Sequence, residues 1–129
     1  MVEMILIPVS PAELIDRVTI LEIKAARIDD AGKLDNVRAE LESLAEVARQ
    51  RLPASPEIRD WKARLKEINE RLWEIEERIR KCEQAGHFGD TFVELARSVY
   101  LTNDRRAKLK REINTRLGSP LVEEKSYAG

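Results

Sequence analysis

The sequence predicts an all-α protein, in which four main helices form an antiparallel bundle with a coiled-coil-like hairpin, a short N-terminal strand and a C-terminal tail. Apolar residues recur at three- and four-residue spacing along four stretches, and helix-capping residues mark where most of these stretches begin. Only one short run, residues 4–9, has the apolar, β-branched character of a strand. The 129 residues suit a single domain spanning 1–129, because no long linker or internal repeat divides them.

The first helix is expected to be the central one, running from Pro11 to about Asp29. Ser10 can cap it, proline fits the first helical position, and Glu13 completes a capping box. Apolar residues cover most of its circumference, which is typical of a helix in the middle of a bundle. These residues are Leu14, Ile15, Val18, Ile20, Leu21, Ile23, Ala25, Ala26 and Ile28.

Turn residues separate the next two helices. Residues 29–32 form a turn in which Gly32 can take a left-handed C-terminal cap, and a second helix follows over residues 33–52. Residues 53–56 end that helix and begin the third, with Ser55 as the cap and Pro56 in the first turn. The third helix is predicted to extend to about Gln84.

The third helix carries an unbroken apolar seam over four heptads. The seam favours either an antiparallel hairpin inside one chain or a parallel dimer, and the short connections favour the hairpin. Its positions are Ile58, Trp61, Leu65, Ile68, Leu72, Ile75, Ile79 and Cys82. Trp73 lies off the seam and either marks a contact surface or packs under the strand or the tail. The candidate interface is therefore Trp73 with the seam from Ile58 to Ile79.

The fourth helix follows a turn over residues 85–89 in which Gly86 ends the third helix. Asp90 or Thr91 is the expected cap. The apolar pattern breaks at residues 102–106, so that either the helix runs through a polar gap or Asn103 or Asp104 caps a fifth short helix.

Gly118 and Pro120 are expected to end the last helix, and the tail beyond them is short. The lone strand of residues 4–9 needs a pairing partner. We therefore expect Leu121 and Val122 to fold back beside it.

Charge is balanced over the whole chain but segregated along it. The 23 Lys and Arg residues against 24 Asp and Glu residues argue against a protein whose whole surface binds a polyanion. The net charge is −4 over residues 1–60 and +5 over residues 97–116. This arrangement fits docking between an acidic first half and a basic last helix. Weak nucleic-acid binding through that helix is an alternative, although its basic residues spread around the helix without interleaved aromatic residues.

Cysteine, histidine and hydropathy exclude several classes of site. Cys82 and His87 are the only residues of their types, which forbids an internal disulfide and leaves a zinc site without enough ligands. The start of the chain lacks a secretory signal pattern, and no run approaches the roughly 20 apolar residues of a membrane helix. We expect a cytoplasmic protein with no membrane span, no metal and no cofactor.

Basic residues on the apolar first helix suggest a candidate anion site. Arg17 and Lys24 share one edge of that helix, with Arg27 nearby. Arg17 can pair with Glu13 four residues earlier, so that the edge faces solvent, or these cations converge on a cavity. In a desolvated cavity they would bind a dicarboxylate or a phosphate.

Four segments together resemble an uncharacterised bacterial family of small helical proteins. They are residues 8–24, 36–41, 98–114 and 121–127. The resemblance covers nearly the whole chain and implies a bacterial cytosolic protein without naming an activity. It indicates that residues 99–106 and 122–127 carry the character of the family.

A fainter resemblance is to the all-helical chorismate mutases, whose first helix carries an arginine, followed by a lysine after a turn. It implies that Arg17, Arg27 and Lys33 would hold substrate carboxylates, with Asn103 or Asp104 nearby. The third helix is longer than in those enzymes, and the second is inserted. The candidate anion-binding set is then Arg17, Lys24, Arg27, Lys33, Asn103, Asp104, Arg105 and Arg106.

The main functional hypothesis is a non-enzymatic interaction module that forms a homo-oligomer or binds a protein partner. It depends on the apolar seam and on the lack of a complete catalytic constellation. The alternative, a small-anion-binding enzyme, requires the first-helix polar edge and residues 102–106 to meet in space.

Overall fold

The computed structural model describes residues 1–127 and confirms the all-α fold class. It contains four helices within those residues: α1 (Pro11–Arg27), α2 (Ala31–Arg51), α3 (Pro56–Ala85) and α4 (Asp90–Arg116). The predicted bounds of all four are correct to within a few residues, because capping residues and glycines fix most helix ends locally.

Helix α1 is the central helix of the bundle. It contacts the three other helices, whereas α2 contacts α1 alone. Eight of its 17 residues are buried, in agreement with the nearly continuous apolar circumference. Helix α1 thus lies between α2 on one side and the pair of α3 and α4 on the other.

The apolar seam of α3 packs inside the chain. Trp61, Leu65, Ile68 and Ile75 are buried, and the other seam positions are half-buried. The seam joins residues of α1 and α4 in a core cluster of Ala12, Ile15, Trp61, Leu65, Ile68, Leu109 and Ile113. Because a short turn joins α3 to α4, the two helices form the antiparallel hairpin that the sequence favoured.

The hairpin projects beyond the end of α1. The last residue of α1, Arg27, reaches Glu74 of α3 at 3.5 Å, and α3 continues from there to Ala85, about three further turns. Ile79 and Cys82, in this part, are only half-buried. We call residues 75–101 the distal hairpin, a part of the molecule that α1 does not cover.

Most of the predicted helix caps are confirmed. The Ser10 hydroxyl accepts a hydrogen bond from the Glu13 amide at 3.1 Å, and the Ser55 hydroxyl accepts one from the Ile58 amide at 3.2 Å. Gly86 ends α3 with φ of 67°, a left-handed conformation that favours glycine. The Glu13 side chain binds Arg17 and Lys110 instead of completing the capping box.

At the starts of α2 and α4 the predicted capping residues are wrong. Helix α2 begins at Ala31, because the Asp30 carboxylate accepts a hydrogen bond from the Lys33 amide at 2.8 Å. Gly32 therefore lies in the first turn of α2, and the C-cap of α1 is the extended residue Ile28. The N-cap of α4 is Gly89, which provides no side-chain hydrogen bond.

The prediction of an N-terminal strand is wrong for the described residues. Residues 1–9 carry no strand, and no strand occurs elsewhere in residues 1–127. A strand needs a neighbour with free backbone groups, and the helices offer none. Leu121 and Val122 accordingly have no strand to pair with and are exposed.

Helix α4 runs without a break through residues 102–106. The segment is polar because part of it faces other polar groups: Thr102 is buried, and Arg106 donates a hydrogen bond to Asn69 of α3. A fifth helix is therefore absent from the described residues. The tail returns along α4, where Glu123 lies 3.4 Å from Lys110.

Candidate functional site

A polar network crosses the interior where α1, α3 and α4 meet. Four of its members, Asp16, Thr19, Asn69 and Lys110, are among the buried polar residues of the chain. Buried polar groups require partners, and every buried side-chain nitrogen or oxygen in residues 1–127 has one. The polar network consists of Glu13, Asp16, Thr19, Asn69, Arg106 and Lys110.

Lys110 is the cation of this network. Its Nζ lies 2.6 Å from Glu13 Oε2 and 3.5 Å from Asp16 Oδ2, both on α1. Its side chain is only 11% exposed, so that water screens these pairs weakly. Burial alone would lower the pKa of Lys110, but the hydrogen bond that Lys110 donates to Glu13 and the nearby charge of Asp16 outweigh burial and raise that pKa.

The pKa of the Glu13 carboxyl shifts in the opposite direction. Burial by itself would raise its pKa, but the hydrogen bonds that Lys110 and Arg17 donate outweigh burial. The pKa of Glu13 is therefore below its ordinary value, and the ion pair between α1 and α4 is charged at neutral pH.

Asn69 connects the three helices. Its side-chain amide nitrogen donates to Asp16 Oδ1 at 2.7 Å and to Thr19 Oγ1 at 3.0 Å. The Thr19 hydroxyl in turn donates to the Asp16 carbonyl at 2.7 Å. The amide oxygen of Asn69 accepts from Arg106 Nη1 at 3.0 Å, so that the orientation of the amide and the position of the guanidinium depend on each other.

A second asparagine holds the start of α1. Asn114 of α4 accepts a hydrogen bond from the Ala12 amide at 3.0 Å. Ala12 lies in the first turn of α1, where backbone amides have no partner inside the helix. Both residues are buried, so this bond fixes the height at which α1 meets α4.

An open groove lies beside the polar network. It has a volume of about 540 Å³, within the range typical of small-molecule sites. Its floor combines apolar side chains of α1 and α3 with two members of the network, and its rim is charged. We call it the Trp73 groove; its lining residues are Ile20, Ile23, Asn69, Leu72, Trp73, Glu76, Glu77, Arg80 and Arg106.

The predicted anion-binding residues are distributed over several places. Arg17 is exposed and pairs with Glu13 at 2.9 Å, and Arg27 pairs with Glu74. Arg105 lines a different groove, of about 370 Å³, whereas Arg106 lines the Trp73 groove. The other four candidates line neither groove: Lys24, Lys33, Asn103 and Asp104.

The segment of residues 102–106 reaches α1 indirectly through Arg106, which was singled out from the sequence, but the α1 residues at the other end of this contact are not Arg17, Lys24 or Arg27. The contact joins Arg106 to Asp16 and Thr19 by way of Asn69. The 3-residue spacing of Glu13, Asp16 and Thr19 was a signal that a polar row faces a neighbouring helix. No sequence pattern distinguished Asn69, which is a single polar residue next to the apolar seam of α3.

The basic segment of α4 is largely engaged with acidic residues. Arg116 pairs with Glu57 at 2.9 Å, and Arg111 pairs with Glu124 at 2.5 Å. With Lys110 and with Arg97, which lies 3.6 Å from Glu94, four of the seven basic residues in 97–116 have an acidic partner. Much of the +5 local charge is thus neutralised within the chain.

The predicted interface residues occupy two environments. The seam from Trp61 to Ile75 faces the interior, and Trp73 is half-buried at the surface of α3. The Trp73 indole nitrogen donates to Glu77 Oε1 at 2.8 Å, which holds the ring beside the groove. Within residues 1–127, the groove beside Trp73 is lined by side chains of α1, α3 and α4.

Comparison with known proteins identifies a family and no individual relative. Within residues 1–127, no helix has the length and apolar character needed to cross a bilayer. No curated protein and no solved structure matches the chain, and the likeness to chorismate mutases stays a prediction from the sequence. One family model matches residues 5–129, described as a family of unknown function (DUF6165). The resemblance to an uncharacterised family is thereby confirmed: the chain belongs to the DUF6165 family.

Proposed function

We propose that the protein is a non-enzymatic interaction module that self-associates through its first nine residues, which we call the N-terminal arm. The observation that carries this proposal is the exposure of the arm. Each of its first six apolar side chains is at least 64% exposed: Met1, Val2, Met4, Ile5, Leu6 and Ile7. A contiguous apolar surface of this kind is typical of a contact site.

The backbone of the arm supports the same proposal. Residues 1–9 lie outside any helix, and within residues 1–127 they make no backbone–backbone hydrogen bond. The free amide and carbonyl groups of this apolar segment are therefore available for pairing with another chain. A two-stranded ribbon alone is only marginally stable in water, so two paired arms also need a surface to pack on.

An apolar groove near the start of α1 offers that surface. It has a volume of about 310 Å³ and lies where α1, α2 and the beginning of α3 meet, with Ile15, Val18, Leu52 and Ile58 in its lining. Helix α2 buries none of its residues, so its apolar stripe is incompletely covered. The arm of a second copy fits both needs, because reciprocal exchange would cover the arm and the groove of each chain in a closed dimer.

Sedimentation over a range of protein concentrations tests the proposal. We expect the wild-type protein to form a dimer and the Ile5→Glu/Ile7→Glu variant to be monomeric, because charges in the arm would be buried on pairing. Circular dichroism of the variant should match that of the wild type, since the arm lies outside the core.

The matched control is Val93→Glu/Leu101→Glu, which places the same charges at two exposed apolar positions of the distal hairpin. The control should remain dimeric. A wild-type protein that stays monomeric at high micromolar concentration would contradict self-association. A monomeric control beside a dimeric arm variant would instead move the interface to the distal hairpin.

A further inference from the structure

We propose that the Trp73 groove binds a small monocarboxylate with an apolar or aromatic body. The carboxylate pairs with the Arg106 guanidinium, and the apolar body packs on Ile23 and Trp73. This site is independent of self-association through the arm, since the Trp73 groove and the arm share no residue.

Arg106 is oriented without being neutralised. Its Nη1 donates to Asn69 Oδ1, and Asn69 is itself held by Asp16 and Thr19. A guanidinium has five N–H donors, so several remain for a ligand. Within residues 1–127, no carboxylate forms an ion pair with Arg106, whereas Arg111 and Arg116 on the same helix each have one. The structure thus presents a positioned cation whose counter-charge is missing.

The lining of the groove defines the rest of the ligand. Ile20, Ile23, Leu72 and Trp73 provide an apolar wall around the single polar end at Asn69 and Arg106. Sites for small molecules commonly combine such an apolar lining with a few placed polar groups. Because a guanidinium recognises a carboxylate with two parallel hydrogen bonds, a carboxylate attached to an apolar body is the chemistry that fits.

Charges on the rim exclude a second carboxylate. Glu76 and Glu77 both line the groove, and the one rim cation, Arg80, lies 3.8 Å from Glu76. A dicarboxylate would bring its second charge toward these acidic side chains, and like charges repel. The structure therefore favours a monocarboxylate over the dicarboxylate or phosphate that the sequence suggested.

Calorimetric titration with 3-phenylpropionate and with its uncharged amide, 3-phenylpropanamide, tests the ligand class. We expect the acid to bind in the micromolar to millimolar range and the amide to bind about 10-fold more weakly, because only the acid brings a negative charge to the guanidinium. Equal affinities for the acid and the amide would overturn the proposal, as would no binding of the acid at millimolar concentration.

Two adjacent arginines provide a matched pair of variants. Arg106→Gln should weaken binding of the acid by about 10-fold or more, whereas Arg105→Gln removes the same charge from a residue in a different groove and should leave it unchanged. If both variants weakened binding of the acid equally, the interaction would be a general electrostatic attraction, and the proposed site would be wrong.

Arg106→Gln also changes the hydrogen bond to Asn69, so a second variant separates binding from folding. Trp73→Ala removes apolar wall at a half-buried surface position and should abolish measurable binding while circular dichroism and the thermal unfolding midpoint stay close to those of the wild type. A Trp73→Ala variant that binds the acid as the wild type does would place the ligand outside the groove.

Discussion

The Lys110 ammonium of α4 lies close to acidic side chains of both α1 and the tail. It faces Glu13 and Asp16 from α1 and Glu123 from the tail. Removing one partner from a buried ion pair leaves the other charge without compensation, which costs more than the pair itself contributes. Loss of the Lys110 side chain therefore leaves the buried Asp16 carboxylate without its cation.

We expect Lys110→Met to lower the free energy of unfolding by about 3 kcal/mol, because Asp16 stays buried without its cation. Arg111→Met is the control: it removes the neighbouring cation, whose pair with Glu124 is exposed, and should cost less than about 1 kcal/mol. Urea denaturation at neutral pH measures both values. Similar losses of unfolding free energy in the two variants would show that burial of the polar network contributes nothing to stability.

The lowered pKa of Glu13 predicts how the stability of the protein depends on pH. Its pKa is lowered in the folded protein, so the unfolded chain binds the proton more readily. The stabilisation is present at pH above the ordinary carboxyl pKa of 4.5 and is lost as pH falls through the lowered value.

The Glu13→Gln variant should consequently lose less stability than the wild type between neutral and acidic pH. Glu40→Gln, at an exposed position of α2, should follow the wild-type curve. Thermal unfolding midpoints measured over this pH interval provide the comparison. If Glu13→Gln and the wild type run parallel, the carboxylate of Glu13 contributes no linked stability.

At the scale of elements, α2 is the helix with the weakest attachment. It contacts α1 alone and has no buried residue, whereas α3 contacts two helices. Its apolar stripe is half-buried: Leu34, Val37, Leu41, Leu44 and Ala48. Local opening costs least where few apolar contacts hold an element, so α2 can separate from α1 while the rest stays folded.

Hydrogen exchange measured by mass spectrometry should show this difference. In the monomeric Ile5→Glu/Ile7→Glu variant we expect amides of α2 to exchange faster than those of α1 and of α3 residues 61–75. In the wild-type dimer α2 should gain protection if the arm of a second copy covers its groove. Equal protection of α2 and α3 in the monomeric variant would contradict the weak attachment of α2.

The elements were predictable where local chemistry fixes them. The seam of α3, the serine caps and the glycine after Ala85 depend on neighbours within a few residues, and each is confirmed. The strand over residues 4–9 was wrong because an apolar run indicates burial without stating what buries it. The apparent gap at residues 102–106 contains the buried Thr102 and also Arg106, whose contact only the position of Asn69 reveals.

Across the whole molecule, charges that are segregated along the sequence form ion pairs between helices. The basic last helix lies against acidic residues of the first half, as the pairs of Lys110 with Glu13 and of Arg116 with Glu57 show. This docking follows from the sequence, because opposite charges at a distance along the chain attract once the helices pack. The sequence could not supply which cations remain without an ion pair, since that depends on distances between helices.

The candidate site was predictable in part for the same reason. Arg106 was among the residues selected from the sequence, but Trp73 was assigned to an interface and Asn69 to nothing. Arg17 and Lys24 attracted attention as charges on an apolar helix, yet Arg17 pairs with Glu13 in solvent. Charged residues in the sequence identify candidates for the site, and the contacts between helices determine which of them belong to it.

The bond between Asp16 and Asn69 also determines how the helices align lengthwise. A heptad seam is nearly the same after every seven residues, so α1 could slide along α3 by one repeat and still meet apolar side chains. If α1 slid by seven residues toward the turn between α3 and α4, Asp16 would lie opposite Glu76 instead of Asn69. Asp16 would also lose its contact with Lys110. That mismatch would bury two like charges near each other. The asparagine therefore disfavours a slide of the seam toward the turn, because its hydrogen bonds to Asp16 and Thr19 form in the observed alignment.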